Sequence, residues 1–436
     1  MFESPGRQQF FPDRPTYYSF VVVAFILRRL SPCLPGTGRF SGFVEMKTST
    51  NRILTTHVGS LPRPLDLFDM LVAEDQHQPH DAEVLEKRVA DAVADVVAKQ
   101  VDCGIDIVSD GDMGKISYTF YVKHRLSNID PAQPPGAETP PENANQDILD
   151  HPDFAERIKK ARSGWGLQFG RPWVVGPIAY TNRAPLDRDI AHLQAATEAS
   201  SAGEAFMTAA SPGVLSKFVP DDYYRDEEAY IEAMAAAMQV EYEAIHAAGL
   251  ILQIDCPDFG SARHNQYKDL SDDEFLKIAW RNMEAVNAAT ANIPPSAMRL
   301  HICWGNYEGP HTHDFPLAKI FPVLMAARPA AILFEGANPR HEHEWEDIQG
   351  LDIPDHKIFV PGVIDSTSNF VEHPRLIAQR LCNWAGAVGR ERVIAGADCG
   401  FGTFARHDPP VAGSVVWSKF RAMAEGAAIA TDRLWS

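Results

Sequence analysis

From Arg52 onward, short runs of β-branched and apolar residues alternate with longer segments whose apolar positions recur every three to four residues. The first pattern fits buried strands and the second fits helices packed by one face. Nearly every apolar run ends in small or polar residues: "ILTTHVGS", "DIVSDGD", "WVVGPIAY", "AFMTAASPG", "LILQIDCPD", "MRLHICWGN", "AILFEGAN", "KIFVPGVID" and "RVIAGADCG". Strand and helix in strict alternation predict parallel β/α architecture. No Gly-x-Gly-x-x-Gly follows the first strand, which disfavours a doubly wound dinucleotide fold. The expectation is an α/β chain folded as a (β/α)8 TIM barrel. Nine candidate strands are one too many for eight staves, so one of them belongs outside the ring.

Among the intervening segments, "DEEAYIEAMAAAMQVEYEAIHAAG", Asp226 to Gly249, combines alanine-rich propensity, helical periodicity and a glycine stop. The proline-rich tract at 128–147 is expected to be a solvated loop, because the alternation resumes unchanged on both sides. Residues 46–436 are therefore treated as a single barrel domain. Residues 1–45 differ in character. Their apolar stretch of about eleven residues is far short of a bilayer span, and no small-residue cleavage signal follows it. They are expected to be an unstructured N-terminal extension ahead of Met46.

Acidic residues outnumber basic ones 58 to 40, for a net charge of −18. That charge disfavours nucleic acid and anionic membrane as partners and favours a small-molecule substrate. The six cysteines are too few and too irregularly spaced for a disulfide framework, so reduced thiols and a cytoplasmic location are expected.

In a barrel of this kind the C-terminal ends of the strands build the site. His301 and Cys303 in "RLHICWGN" are two apart and point to one face. "AILFEGAN" ends in Glu335, an acid costly to bury unpaired, and "RVIAGADCG" ends in Cys399. One nitrogen, two sulfurs and a carboxylate oxygen form a set suited to tetrahedral zinc. Each residue taken singly also has an ordinary reading, as a small buried hydrophobe or a histidine bonded to a carbonyl.

The order and separation of "THVGSLPRP", "QIDCPD", "LHICWGN", "LFEGAN", "PGVID" and "GADCGFGT" resemble the catalytic half of the cobalamin-independent methionine synthase family and its stand-alone relatives, including epoxyalkane:coenzyme M transferase. The resemblance spans about residues 50 to 405. It implies a (β/α)8 barrel with zinc held by His301, Cys303, Glu335 and Cys399. It further implies that Asp112 and Asp255 act at the amino group of a homocysteine-like thiol, and that Ser60, in Val58-Gly59-Ser60, receives the carboxylate. The activity implied is zinc-dependent S-methyl or S-alkyl transfer in methionine biosynthesis, from an alkyl donor to a small-molecule thiol activated as a zinc thiolate. A free thiol has a pKa of about 8.5, so metal-assisted deprotonation would supply the nucleophile at neutral pH.

Departures from the family pattern bear on the donor. Asp365-Ser366-Thr367-Ser368 stands where the family has Asp-Ile-His-Ser, and Ser216 in "PGVLSKFV" stands where it has a pterin-stacking tryptophan. The family's amino-terminal half has no counterpart in the sequence. These differences keep thiol addition to an epoxide as an alternative, and a non-catalytic barrel with a structural zinc as another. His311, His313, His341 and His343 follow the two ligand strands. They read as loop residues bonded to neighbouring acids, with a second metal as the sharper alternative, and Arg63 and Arg340 are candidates for an anionic substrate group.

Overall fold

The computed structural model describes residues 45–130, 134, 145–162, 172–403 and 409–436. The expected N-terminal extension, Glu45 apart, lies outside these residues.

Eight parallel strands form the barrel: β1 (Leu54–Thr55), β2 (Ile107–Val108), β3 (Glu204–Ala210), β4 (Ile251–Asp255), β5 (Met298–His301), β6 (Ala331–Phe334), β7 (Ile358–Ile364) and β8 (Ile394–Ala397). Their spatial order is β1-β8-β7-β6-β5-β4-β3-β2. Between β1 and β2 the ring is closed by two hydrogen bonds, Asp106 N–H to the Thr55 carbonyl (3.1 Å) and the Thr56 hydroxyl to the Ile107 carbonyl (3.0 Å). The chain is thus a (β/α)8 barrel. The supernumerary candidate is "WVVGPIAY": Trp173–Val174 pairs antiparallel with Ile129–Asp130, outside the ring.

Alternate residues of each strand face inward. Leu54, Ile107, Phe206, Ile251, Leu333, Val360 and Ile394 fill the barrel with apolar side chains, while the opposite faces pack under the helices. The same parity carries upward to Gln253 and Asp255 on β4 and to Arg299 and His301 on β5. Side chains that begin as core at the bottom become chemistry at the top.

The helix foreseen at Asp226–Gly249 runs Glu227–Ala247. Asp226 caps it by accepting from the Ala229 N–H, and Gly249 ends it at φ 79°. After β6 the outer layer is reduced to Glu344–Asp347. The proline-rich tract is not loop throughout, since its ends form the strand Ile129–Asp130 and the helix Gln146–Asp150; most of it lies outside the described residues. Among the described residues no helix is long and apolar enough to cross a membrane. Cys103, Cys256, Cys303, Cys382 and Cys399 are all free thiols.

Candidate metal centre at the barrel mouth

β5 ends at His301, and the chain continues extended through Ile302, whose N–H bonds the Leu333 carbonyl, so Cys303 keeps the inward side. Cys399 arrives from the end of β8. Ligand atoms of His301, Cys303 and Cys399, all three buried, lie within 4.8 Å of one another. The two sulfurs are 3.6 Å apart. Two thiolates sharing a tetrahedral zinc at about 2.3 Å each would stand about 3.8 Å apart, so the sulfur pair is already set at the required span.

His301 supplies a further test of fit. Its Nδ1 is 3.2 Å from an Asp255 carboxylate oxygen, whereas its Nε2 is buried without a hydrogen-bond partner. A buried nitrogen left unsatisfied is costly, and a metal ion is a natural partner for its lone pair. The Gly305 N–H points at the Cys303 sulfur at 3.3 Å, a contact that favours a thiolate. Without a cation, the neighbouring Cys399 thiol, burial and like charge push the Cys303 pKa well above the ordinary thiol range. A divalent ion would reverse that balance. Burial opposes the imidazolium of His301, but the bond to Asp255 and its charge raise its pKa. The donors present therefore fit zinc.

Glu335 stands apart from this trio. It follows β6 on the inward parity, but Oε1 accepts the Trp304 N–H (2.8 Å) and Oε2 accepts the Asn338 side-chain amide (2.8 Å). Burial and the nearby Cys303 push its pKa well above the carboxylate range. Trp304 directly follows Cys303, so the fourth expected ligand is tied to the residue next to the second. The loop after Glu335 is held by Asp398, whose carboxylate accepts the N–H groups of Gly336 (2.8 Å), Ala337 (2.8 Å) and Asn338 (2.9 Å).

The two aspartates implied for an ammonium are both engaged. Asp112 sits at φ 57°, a left-handed conformation that aspartate tolerates. Its Oδ1 accepts from the Lys115 ammonium (3.0 Å) and the Thr208 hydroxyl (2.8 Å). Burial works against its charge, but Lys115 and Arg63 hold its pKa below the usual value. Asp255 accepts from the Gln253 amide (2.8 Å) as well as facing His301. Ser60 is brought against the Cys399 loop: its carbonyl accepts the Phe401 N–H, and a Cβ on Gly400 would overlap its hydroxyl. Gly59, at φ 139°, makes that approach, and a side chain there would meet the Thr208 methyl at 2.5 Å.

Arg63 donates to the backbone carbonyls of Asp112 and Gly402, and the exposed Arg340 reaches the Thr312 carbonyl. Each loop histidine faces an acid: His311 with Asp314 (2.7 Å), His313 with Asp150 (2.6 Å), His341 with Asp314 and Glu344 (both 2.9 Å), and His343 with Asp347 (3.7 Å). The hub of this cluster, Asp314, and its third histidine, His264 at 3.0 Å, escape sequence reading because they lie on different loops. Lys217 is also missed. It is buried, donates to the Ser261 hydroxyl at 2.9 Å, and burial brings its pKa down to about 8. Nothing in "PGVLSKFV" marks it.

No protein-family model matches the chain. A methionine synthase from Sulfolobus acidocaldarius is 23% identical over 348 residues, 79% of this chain and 85% of the relative. Among solved structures, a B12-independent methionine synthase from Shewanella sp. W3-18-1, in complex with selenomethionine, superposes with a TM-score of 0.65 at 19% identity, covering 88% of this chain and 99% of that one. A putative vitamin-B12 independent methionine synthase from Listeria monocytogenes gives 0.57 at 18% identity, over 88% of this chain and 100% of its own. In sequence the chain is similar to curated methionine synthases, and in fold to the solved structures of B12-independent methionine synthases.

Proposed function

We propose that the chain is a zinc-dependent thiol methyl- or alkyltransferase of the methionine synthase type. The observation that carries this reading is the convergence of the His301, Cys303 and Cys399 ligand atoms at the barrel mouth. These three would hold the ion, with Glu335 as the fourth ligand once its bonds to Trp304 and Asn338 are exchanged. Bound there, zinc would supply the charge that draws the proton off a substrate thiol at neutral pH. Two protein thiolates soften that charge, which suits sulfur attack on carbon better than water activation. The sulfur–carbon bond forms as the alkyl carbon parts from the donor. Ser60 is assigned to the acceptor's carboxylate, and Asp112 and Asp255 to its ammonium.

A second reading, addition of a thiol to an epoxide, is favoured by one observation: the Asp112 carboxylate is paired internally with Lys115, which weakens its attraction for an ammonium. Cobalt-substituted protein mixed with homocysteine or with coenzyme M separates the two. A change in thiolate-to-metal absorbance with homocysteine supports the first reading, and a change with coenzyme M alone supports the second. No change with either thiol, in protein that has bound cobalt, refutes both.

A further inference from the structure

β4 and β5 are in register with Gln253 opposite Arg299 and Asp255 opposite His301. All four residues lie on the inward parity, so two polar layers are stacked along the barrel axis, the upper one ending at the metal centre. The lower layer is fixed by Arg299. Its guanidinium donates to the Gln253 Oε1 (2.8 Å), the Thr56 hydroxyl (2.9 Å) and the His57 carbonyl (2.6 Å), and it lies 3.5 Å from the centre of the Phe206 ring.

Arginine has donors and no acceptor, so only the amide oxygen of Gln253 can face it. The amide nitrogen must then face the other way, toward the Val58 carbonyl and the Asp255 Oδ1. The same Asp255 oxygen faces His301 Nδ1. A carboxylate that receives a donor from Gln253 is held as an acceptor, so it selects the imidazole tautomer with hydrogen on Nδ1 and a lone pair on Nε2. That Nε2 is the buried atom with no protein partner.

We infer that Arg299 and Gln253 are positioning residues which, through Asp255, set the tautomer and ring orientation of His301 for metal binding. Hydrogen-bond direction passes up the barrel, from a donor-only guanidinium through an amide that can be read only one way to an acceptor-only carboxylate. The inference rests on the reading of His301 as a metal ligand. It deepens that reading by placing the control of the ligand two residues below it on each strand, where Gln253 and Arg299 are buried.

The test uses the full chain, stripped of metal and labelled with 15N-histidine, at a pH where the imidazole is neutral. The His301 signal, identified by its loss in His301→Ala, is expected to show hydrogen on Nδ1. Gln253→Glu replaces the donor to Asp255 with an acceptor. It is expected to lose the single tautomer and to weaken zinc binding, measured by chelator competition, about 10- to 100-fold, with circular dichroism unchanged. Hydrogen on Nε2 in the parent chain overturns the inference. So does a folded Gln253→Glu protein with unaltered tautomer and zinc affinity. Should Gln253→Glu fail to fold, the parent spectrum and Gln253→Met, which also removes the donor, decide the matter by the same two readouts. If the parent chain binds no zinc, the transferase reading fails, and the tautomer spectrum still judges the relay on its own.

Discussion

The sulfurs of Cys303 and Cys399 stand 3.6 Å apart although 96 positions separate them in the chain. Both are buried free thiols, and the proposed zinc centre accounts for their approach to this distance. Metal analysis should find about one zinc per chain in the parent protein. Cys303→Ala and Cys399→Ala should each lose most of it, and equal metal in parent and variants would remove the proposed centre.

Asp398 holds three consecutive N–H groups of the loop that follows Glu335, and it immediately precedes Cys399. Asp398→Ala leaves those donors, two of them buried, without the carboxylate, at a cost of about 1–3 kcal/mol or more. The variant should unfold at lower denaturant concentration and bind zinc more weakly. Asp398→Asn keeps one acceptor oxygen and should fall between the two proteins. Weakened zinc binding with unchanged stability would show that the carboxylate acts on the ion rather than on the loop.

The Asp112–Lys115 pair is fully buried, with the Thr208 hydroxyl and carbonyl completing it. Removing one partner strands the other's charge, so Lys115→Met should destabilise the fold by about 3–5 kcal/mol. The double variant Asp112→Asn with Lys115→Met should recover much of that loss in urea unfolding. Equal destabilisation by the single and double variants would show that the pair is not the source.

The Asp314 cluster ties stability to pH. Burial works against the His311 imidazolium, but Asp314 raises its pKa to about 9, above the ordinary value near 6.5. A group whose folded pKa is raised contributes its full stabilisation below the unfolded value and loses it as pH climbs through the folded one. Thermal stability should therefore decline between about pH 6.5 and pH 9, by about 3 kcal/mol for this group at its fullest. His264 and His341 face the same carboxylate, and Glu344 faces His341, so the variant that isolates the effect is His311→Gln. Its melting temperature should depend less on pH across that window, and an unchanged slope would reassign the effect.

The sequence by itself determined the architecture and marked the residues of the candidate site. Strand and helix periodicities are local properties, and eight of the nine apolar runs became staves. The spacing of His301 and Cys303 placed both on one side of an extended segment, and the endings of β6 and β8 marked Glu335 and Cys399. What only the tertiary structure decided was pairing. It put Trp173–Val174 outside the ring, because nothing in that run differs locally from a stave and only its partner, Ile129–Asp130, distinguishes it. It joined His301, Cys303 and Cys399 into one cluster while giving both Glu335 oxygens to Trp304 and Asn338. It also neutralised Asp112 with Lys115 and turned Asp255 toward His301. A side chain's type and parity are written in the chain next to it. Its hydrogen-bond partner comes from another strand or loop, and is set only when register brings the two within about 3 Å.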